Sequence, residues 1–313
     1  MVSTLEETLT PGPASPPSRP GVSLTDILLL TTATIWGFNY VVVKYGTDVM
    51  APLAYNGVRV AFGAVVLAVL VLLRPHERVS RRDVLTLLGL GVLGNCAYQL
   101  LFIEGVARTR AGTAALVLAA APAFIALMGR ALGIERINRK GVAGIALSLA
   151  GIALVTFGRG AARGGATGAA GGSTLAGNLL MLAGTVCWSL FTVLLQPYTH
   201  RMSLAMISAI TMIGGAVPLV ALSLPSITAT DWERIGPLTW AAIAYSGALS
   251  LGVAYLFWYR GVRVLGPTRT AISSNLQPVI ALLVAWPLLH EVPTLWQGAG
   301  AATIIAGVLL TRS

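Results

Sequence analysis

The sequence predicts an all-α polytopic membrane protein of ten transmembrane helices, built as two inverted five-helix repeats. Three observations carry this. The 313 residues are 56% hydrophobic and only 10% charged, with a mean hydropathy of +0.80, whereas a soluble chain averages about 25% Asp, Glu, Lys and Arg. Apolar runs of about twenty residues, the length a helix needs to cross a bilayer core, follow one another along the chain. A set of landmark residues recurs at one constant spacing between the two halves. The first observation excludes a soluble enzyme, a disulfide-stapled secreted domain and a disordered protein. The net charge of +10 does not point to nucleic acid, because the basic residues sit in short loops between apolar runs.

Residues 1–24 carry Pro11, Pro13, Pro16, Pro17 and Pro20 with Glu6 and Glu7, the composition of a disordered tail. No basic segment precedes an apolar stretch there, so it does not read as a signal peptide. Apolar spans follow at 27–46, 53–73, 84–105, 110–132 and 140–157, then at 174–196, 203–225, 236–259, 268–289 and 294–311. The Gly/Ala-rich stretch 158–173 reads as a flexible linker. It divides the chain into a first five-helix repeat, 25–157, and a second, 174–313. Gly105, Pro122, Glu135 and Gly151 precede Gly261, Pro278, Glu291 and Gly307 by 156 residues each, and Trp36 precedes Trp188 by 152. That is an internal repeat with a short indel.

Five spans per repeat is an odd number, so the second repeat enters the membrane the other way round. Loop charge agrees. The basic loop 74–83 corresponds to 226–235, where Arg234 faces Asp231 and Glu233, and the basic loop after Glu135 corresponds to one after Glu291 without Arg or Lys. The positive-inside rule places both termini in the cytoplasm. Only Lys44 and Lys140 are lysine among 21 basic residues, the codon bias of a GC-rich bacterial gene, so the expected location is a bacterial inner membrane. Inverted repeats of this kind are typical of secondary transporters, with the site near the midplane between them.

The first span carries Trp36-Gly37-Phe38-Asn39-Tyr40 and ends in Val43-Lys44. The second carries Arg59. Spans four and nine each hold a proline and end in Gly133-Ile134-Glu135-Arg136 and Leu289-His290-Glu291-Val292, and each is followed by a Gly/Ala-rich helix with a late glycine. Over residues 25–312 this closely resembles EamA-type transporters of the drug/metabolite transporter superfamily. The resemblance implies ten helices, cytoplasmic termini, alternating access and export of small metabolites, amino acids or drugs. It implies no single substrate.

Other motifs lead nowhere. Gly89-Leu90-Gly91-Val92-Leu93-Gly94 matches a dinucleotide fingerprint but lies inside an apolar helix, without the strand the motif needs. His290-Glu291 opens like a zinc-protease motif, but the second His is missing and Pro293 would break the helix. Cys96 and Cys187 lie in apolar runs and read as small buried hydrophobes. No metal and no cofactor is expected.

The candidate substrate site comes from polar and aromatic residues at helical spacing. Trp36, Asn39 and Tyr40 share a face of the first span, Asn95, Tyr98, Gln99 and Phe102 of the third, and Thr185, Trp188, Ser189 and Thr192 of the sixth. Tyr255, Trp258 and Tyr259 cluster on the eighth, the last two also fitting an interfacial belt. Ser274, Gln277 and Pro278 align on the ninth with Asn275 beside them. An amide facing lipid is unfavourable, so these faces should turn inward and line a path with the fourth span. For any single residue, a hydrogen bond between helices is the simpler role. Arg59 is either a fork for a substrate carboxylate or a side chain snorkelling to the interface. Pro122 and Pro278 fall inside their spans and read as hinges. Glu135 and Glu291 sit at helix ends, where accepting hydrogen bonds from a neighbouring helix start is the expected role. Gly151 and Gly307 are structural. Small residues at Val142, Ala146 and Ala150 and at Gly298, Ala302 and Ala306 read as close-packing faces, which leave room for a homodimer.

The predicted function is therefore translocation of a small amino-acid-like solute, zwitterionic, aromatic or cationic, across the inner membrane by alternating access, in the outward direction. The alternatives are an intramembrane enzyme, for which no nucleophile–base pair or carboxylate pair is found, and a scaffold or receptor, which needs no cavity.

Overall fold

A computed structural model describes residues 23–73, 77–133, 139–157 and 175–312. The predicted tail up to residue 22, the linker and Glu135 lie outside these residues. Among the described residues every regular element is helical, and eight of the helical segments are long and apolar enough to cross a bilayer. The first repeat comprises α1 (Leu24–Val49), α2 (Pro52–Leu72), α3 (Arg81–Gly91) and α4 (Tyr98–Arg108), α5 (Ala111–Leu118) and α6 (Ala121–Ala131), and α7 (Arg139–Phe157). The second comprises α8 (Leu175–Thr199), α9 (Leu204–Thr228), α10 (Pro237–Ala244) and α11 (Ala254–Leu265), α12 (Pro267–Ser273) and α13 (Leu276–Leu289), and α14 (Leu295–Arg312). The fifth and tenth predicted spans are α7 and α14, of 19 and 18 residues, which rise about 27–29 Å at 1.5 Å per residue.

Spans begin where the sequence supplies a cap. Ser23, Ser80 and Ser203 precede α1, α3 and α9, and each serine Oγ accepts from the backbone N–H three residues on, replacing a bond that a helix start lacks. Pro52, Pro237 and Pro267 open α2, α10 and α12, where the missing N–H costs nothing.

Two kinds of interruption recur at equivalent places. The third and eighth spans contain π-helical turns, Val92–Ala97 and Tyr245–Val253. The fourth and ninth spans are broken by short turns at 119–120 and 274–275. Pro122 and Pro278 therefore do not kink continuous helices. Each lies in the first turn of a new segment, α6 or α13, where a proline is well tolerated.

The packing obeys a pseudo-two-fold axis. Contacts of α1 with α13 and α11 are mirrored by α8 with α6 and α4. The 245–253 turn packs on α2 as the 92–97 turn packs on α9, and α5 on α13 as α12 on α6. The pairs α2–α9 and α7–α14 join across the axis itself. Because equivalent helices of five-span halves cross in opposite directions, this axis lies in the membrane plane.

The α7–α14 contact is close because glycine makes it so. A Cβ at Gly300 would lie 2.2 Å from Val155 Cγ2, one at Gly307 2.6 Å from the Gly144 carbonyl oxygen, and one at Gly151 2.8 Å from the Ile304 backbone nitrogen. The small-residue series expected to form this face, Val142, Ala146 and Ala150 with Gly298, Ala302 and Ala306, is exposed instead. The packing face runs through Gly144, Ser148, Gly151 and Val155 against Gly300, Ile304 and Gly307.

Candidate functional site

Both repeats contribute to a cavity at the pseudo-two-fold axis. Its walls come from α1 (Trp36, Asn39, Tyr40), α2 (Arg59), α4 (Tyr98, Gln99, Phe102), the α5–α6 region (Leu118, Ala121), α8 (Trp188), the eighth span (Ser250, Leu251, Tyr255, Trp258) and the ninth (Ser274, Gln277). Its volume is about 40 Å³. At about 10–15 Å³ per water that holds a few waters and no amino acid.

Repeat-equivalent residues meet across it. Trp36 and Trp188 stand in edge contact with ring centroids 5.7 Å apart. Gln99 and Tyr255, 156 residues apart, are joined by a hydrogen bond from the amide nitrogen to the phenol oxygen at 3.2 Å. Around Trp188 gather Trp36, Tyr98 at 5.1 Å, Tyr255 at 5.6 Å and Trp258 at 5.8 Å, tilted and edge arrangements that aromatic rings prefer. Trp36 is oriented by its indole N–H, which donates to the Ser250 carbonyl at 3.0 Å. Trp258 and Tyr259 are 1% and 0% exposed, which excludes the interfacial-belt reading for both.

Arg59 points into the protein and is 1% exposed, so it does not snorkel. Its guanidinium donates to Asn56 Oδ1 at 3.0 Å, Ser246 Oγ at 3.1 Å and Gln99 Oε1 at 2.6 Å, and it lies 5.6 Å from the centroid of the Phe102 ring. All these partners are neutral. The Asn56 amide in turn donates to the Gln99 carbonyl at 3.0 Å.

Of the residues that sequence reasoning selected, Trp36, Asn39, Tyr40, Arg59, Tyr98, Gln99, Trp188, Tyr255 and Gln277 line this cavity. Asn95 and Asn275 are not part of the wall. Asn95 is fully buried in the 92–97 turn against Gly215, and Asn275 is half-buried in the break before α13. Thr185 and Ser189 donate to helix carbonyls of α8. Pro122 and Pro278 are buried, next in sequence to the wall residues Ala121 and Gln277. Glu291 lies away from the cavity, and its carboxylate accepts from the Ala111 and Gly112 N–H groups at 3.1 and 3.4 Å, at the start of α5. Burial pushes the Glu291 carboxyl up from its usual range, against the pull of those N–H groups and of Arg110 and Lys44. Asn56, Ser246 and Ser250 were not singled out from sequence. Asn56 stands three residues before Arg59, which was a readable signal.

Beyond the cavity, both helix ends on the wall are latched. Lys44 Nζ of α1 donates to the Ala107 carbonyl at the end of α4 at 3.0 Å. On the opposite side of the cavity, Arg263 of α11 donates to the Thr199 and Met202 carbonyls at the end of α8. Under the repeat, α1–α4 becomes α8–α11, and Arg263 occupies the position equivalent to Ala107. The same contact is kept with its cation moved to the other helix.

A family model described as EamA-like transporter family matches this chain twice, at residues 23–157 and 175–313. The transporter YyaM of Bacillus subtilis, itself uncharacterized, is 25% identical over 90% of this chain and 92% of its own. A probable terminal-alkyne amino-acid exporter of Streptantibioticus cattleyicolor is 27% identical over 90% of this chain and 91% of its own, and a probable amino-acid metabolite efflux pump of Salmonella typhimurium is 27% identical over 90% and 93%. A protein of known crystal structure, 20% identical, superposes with a TM-score of 0.67 over 93% of this chain and 99% of its own, and so shares the fold. With two matched repeats around one axis and a cavity between them, the chain belongs to the EamA-like transporter family, a multi-pass membrane transporter and not an enzyme.

Proposed function

We propose that this protein is a secondary transporter that exports an amino-acid-related small metabolite across a bacterial inner membrane by alternating access, with both termini in the cytoplasm. The observation that carries the reading is the small cavity on the pseudo-two-fold axis, lined from both repeats and latched at both ends. An in-plane axis through a solute site gives the protein two related ways of opening, one to each side. The names of the relatives support an amino-acid-related cargo. Among the described lining residues there is no carboxylate.

The test is solute counterflow in proteoliposomes with labelled amino acids, their N-acyl derivatives, organic cations and sugar phosphates. Accumulation of an amino-acid-related solute, lost on Trp188→Ala in protein that remains folded, is the expected result. Accumulation of sugar phosphates or cations alone would remove the amino-acid reading.

A further inference from the structure

We infer that the cargo this cavity holds best is a monoanion: an organic carboxylate with an aromatic or apolar body and no free amine, for which Arg59 is the counter-ion. The inference rests on the transport reading above and narrows its substrate class. Arg59 carries a full charge at 1% exposure. A buried ion is costly unless it is paired, yet its acceptors are one carboxamide of its own helix, one hydroxyl and one carboxamide of α4. Among the described residues no ion pair engages it. The Gln99 side chain is held by Tyr255 with its amide nitrogen turned away, so that its oxygen faces the guanidinium. The surrounding network orients the cation without neutralising it. Three of the five guanidinium N–H groups are engaged, and the remaining two suit a carboxylate.

Charge then sorts the cargo. A monoanion brings the site to neutrality. A zwitterion makes the same carboxylate contact but leaves an ammonium in the cavity, and a cation adds to Arg59. Among the described lining residues the wall offers that ammonium no carboxylate, only ring faces and neutral acceptors. Among its buried polar atoms without a partner, Trp258 Nε1 can only donate, Asn39 Oδ1 is a neutral acceptor, and the Tyr40 hydroxyl can accept from an ammonium or donate to an anion. The indole N–H instead adds a donor for an anion. Beside Arg59, the rings of Trp36, Trp188, Tyr255 and Trp258 stand 5.1–6.0 Å apart and form the surface against which an apolar body packs.

The experiment is a matched ligand series on the unmodified, purified protein: 3-phenylpropionate (anion), L-phenylalanine (zwitterion) and 2-phenylethylamine (cation), the three sharing one ring. Binding is read by thermal stabilisation in detergent and by counterflow in proteoliposomes. The expected order is anion, zwitterion, cation, with dissociation constants separated by roughly tenfold per step, the scale of a hydrogen-bonded charge gained or lost. In Arg59→Gln the anion's advantage disappears, and in Arg59→Lys it is partly kept. If Arg59→Gln does not fold, the series on the unmodified chain decides alone. Phenylalanine binding as tightly as 3-phenylpropionate, or more tightly, overturns the monoanion inference and leaves the export reading standing. Failure to bind all three also overturns it, while the export reading is then judged by the wider solute screen.

Discussion

The two latches should respond to the same chemical change with opposite outcomes. Lys44 and Arg263 each donate from a charged group to backbone carbonyls at a helix end, on opposite sides of the cavity. Replacing either by Met keeps most of the apolar stem and removes the donor. A hydrogen bond from a charged donor contributes about 1.5–3 kcal/mol. The Lys44–Asp48 pair at 3.7 Å, with Asp48 half exposed, adds little to that. A loss of about 2 kcal/mol shifts a two-state population roughly 30-fold. Lys44→Met should therefore favour the conformation open at the α1–α4 end, the periplasmic one in the proposed orientation, and Arg263→Met the conformation open to the cytoplasm. Ser250 is a suitable reporter, since its backbone carbonyl and not its side chain holds Trp36. In a background with Cys96 and Cys187 replaced by alanine, Ser250→Cys would be labelled with an impermeant thiol reagent in right-side-out and inverted vesicles. Lys44→Met should speed labelling about tenfold or more from the outside only, and Arg263→Met from the inside only. Acceleration on the same side by both variants, or by neither, would refute the latch assignment.

Other expectations follow from the packing and the loops. Trp188→Ala, at the centre of the ring cluster, should cost about 3–5 kcal/mol, read as a lowered melting temperature, whereas Trp188→Phe should retain folding with weaker solute binding. Gly151→Val should cost at least about 1–3 kcal/mol through overpacking, because a Cβ there meets the α14 backbone, with solute affinity unchanged in the folded fraction. The Glu291 carboxyl is pushed above its usual 4.5 by burial, so the folded state holds that proton more firmly than the unfolded one. Its contribution to stability is then greatest below about pH 4.5 and declines as pH rises through the raised value. Melting curves of Glu291→Gln should lack that decline, and a wild-type curve no steeper than the variant's would contradict it. Arg78→Cys should be modified only from the cytoplasm and Asp231→Cys only from outside in intact cells.

The parts of this molecule that were legible in its sequence are those where one helical period holds without interruption. Trp36, Asn39 and Tyr40 lie in a regular stretch of α1, so their spacing placed them on one face. The constant offsets of 152 and 156 made the repeat visible before any packing was known. Asn95 was misplaced for a physical reason. It lies in the π turn 92–97, where bonding from i to i+5 adds a residue to the turn and rotates the residues before it off the face that Tyr98 and Gln99 share. The same effect hid Ser246 and Ser250 in the turn 245–253. Asn275 sits in the break before α13, where the period restarts. The α7–α14 contact was misread because 35 glycines supply small-residue series on more than one face, and only the partner helix selects among them. The charge of Arg59 was legible, but its direction depended on Gln99 and Ser246, 40 and 187 residues away.

Symmetry and its violation have separate tasks in this fold. The scaffold is symmetric where motion is concerned: the π turns, the broken spans, the α7–α14 pair and the latch contacts all recur about the axis. A two-fold-related pair of openings starts nearly equal in energy, and a small bias moves such a balance. The cavity wall is not symmetric. The position equivalent to Arg59 is Thr211, whose hydroxyl donates to its own helix at the Ile207 carbonyl. Two arginines facing one small cavity would repel each other, and a single anion could not neutralise both. One arginine gives a carboxylate a single place to bind, on α2 between α4 and the 245–253 turn. In the inferred binding mode the cargo then bridges groups from both repeats in one orientation. A solute that joins both halves interacts differently with each open state, and such a difference is what allows a ligand to shift a conformational equilibrium. In the proposed mechanism the internal repeat thus supplies the two conformations, and the residues that differ between its copies determine what the cavity binds.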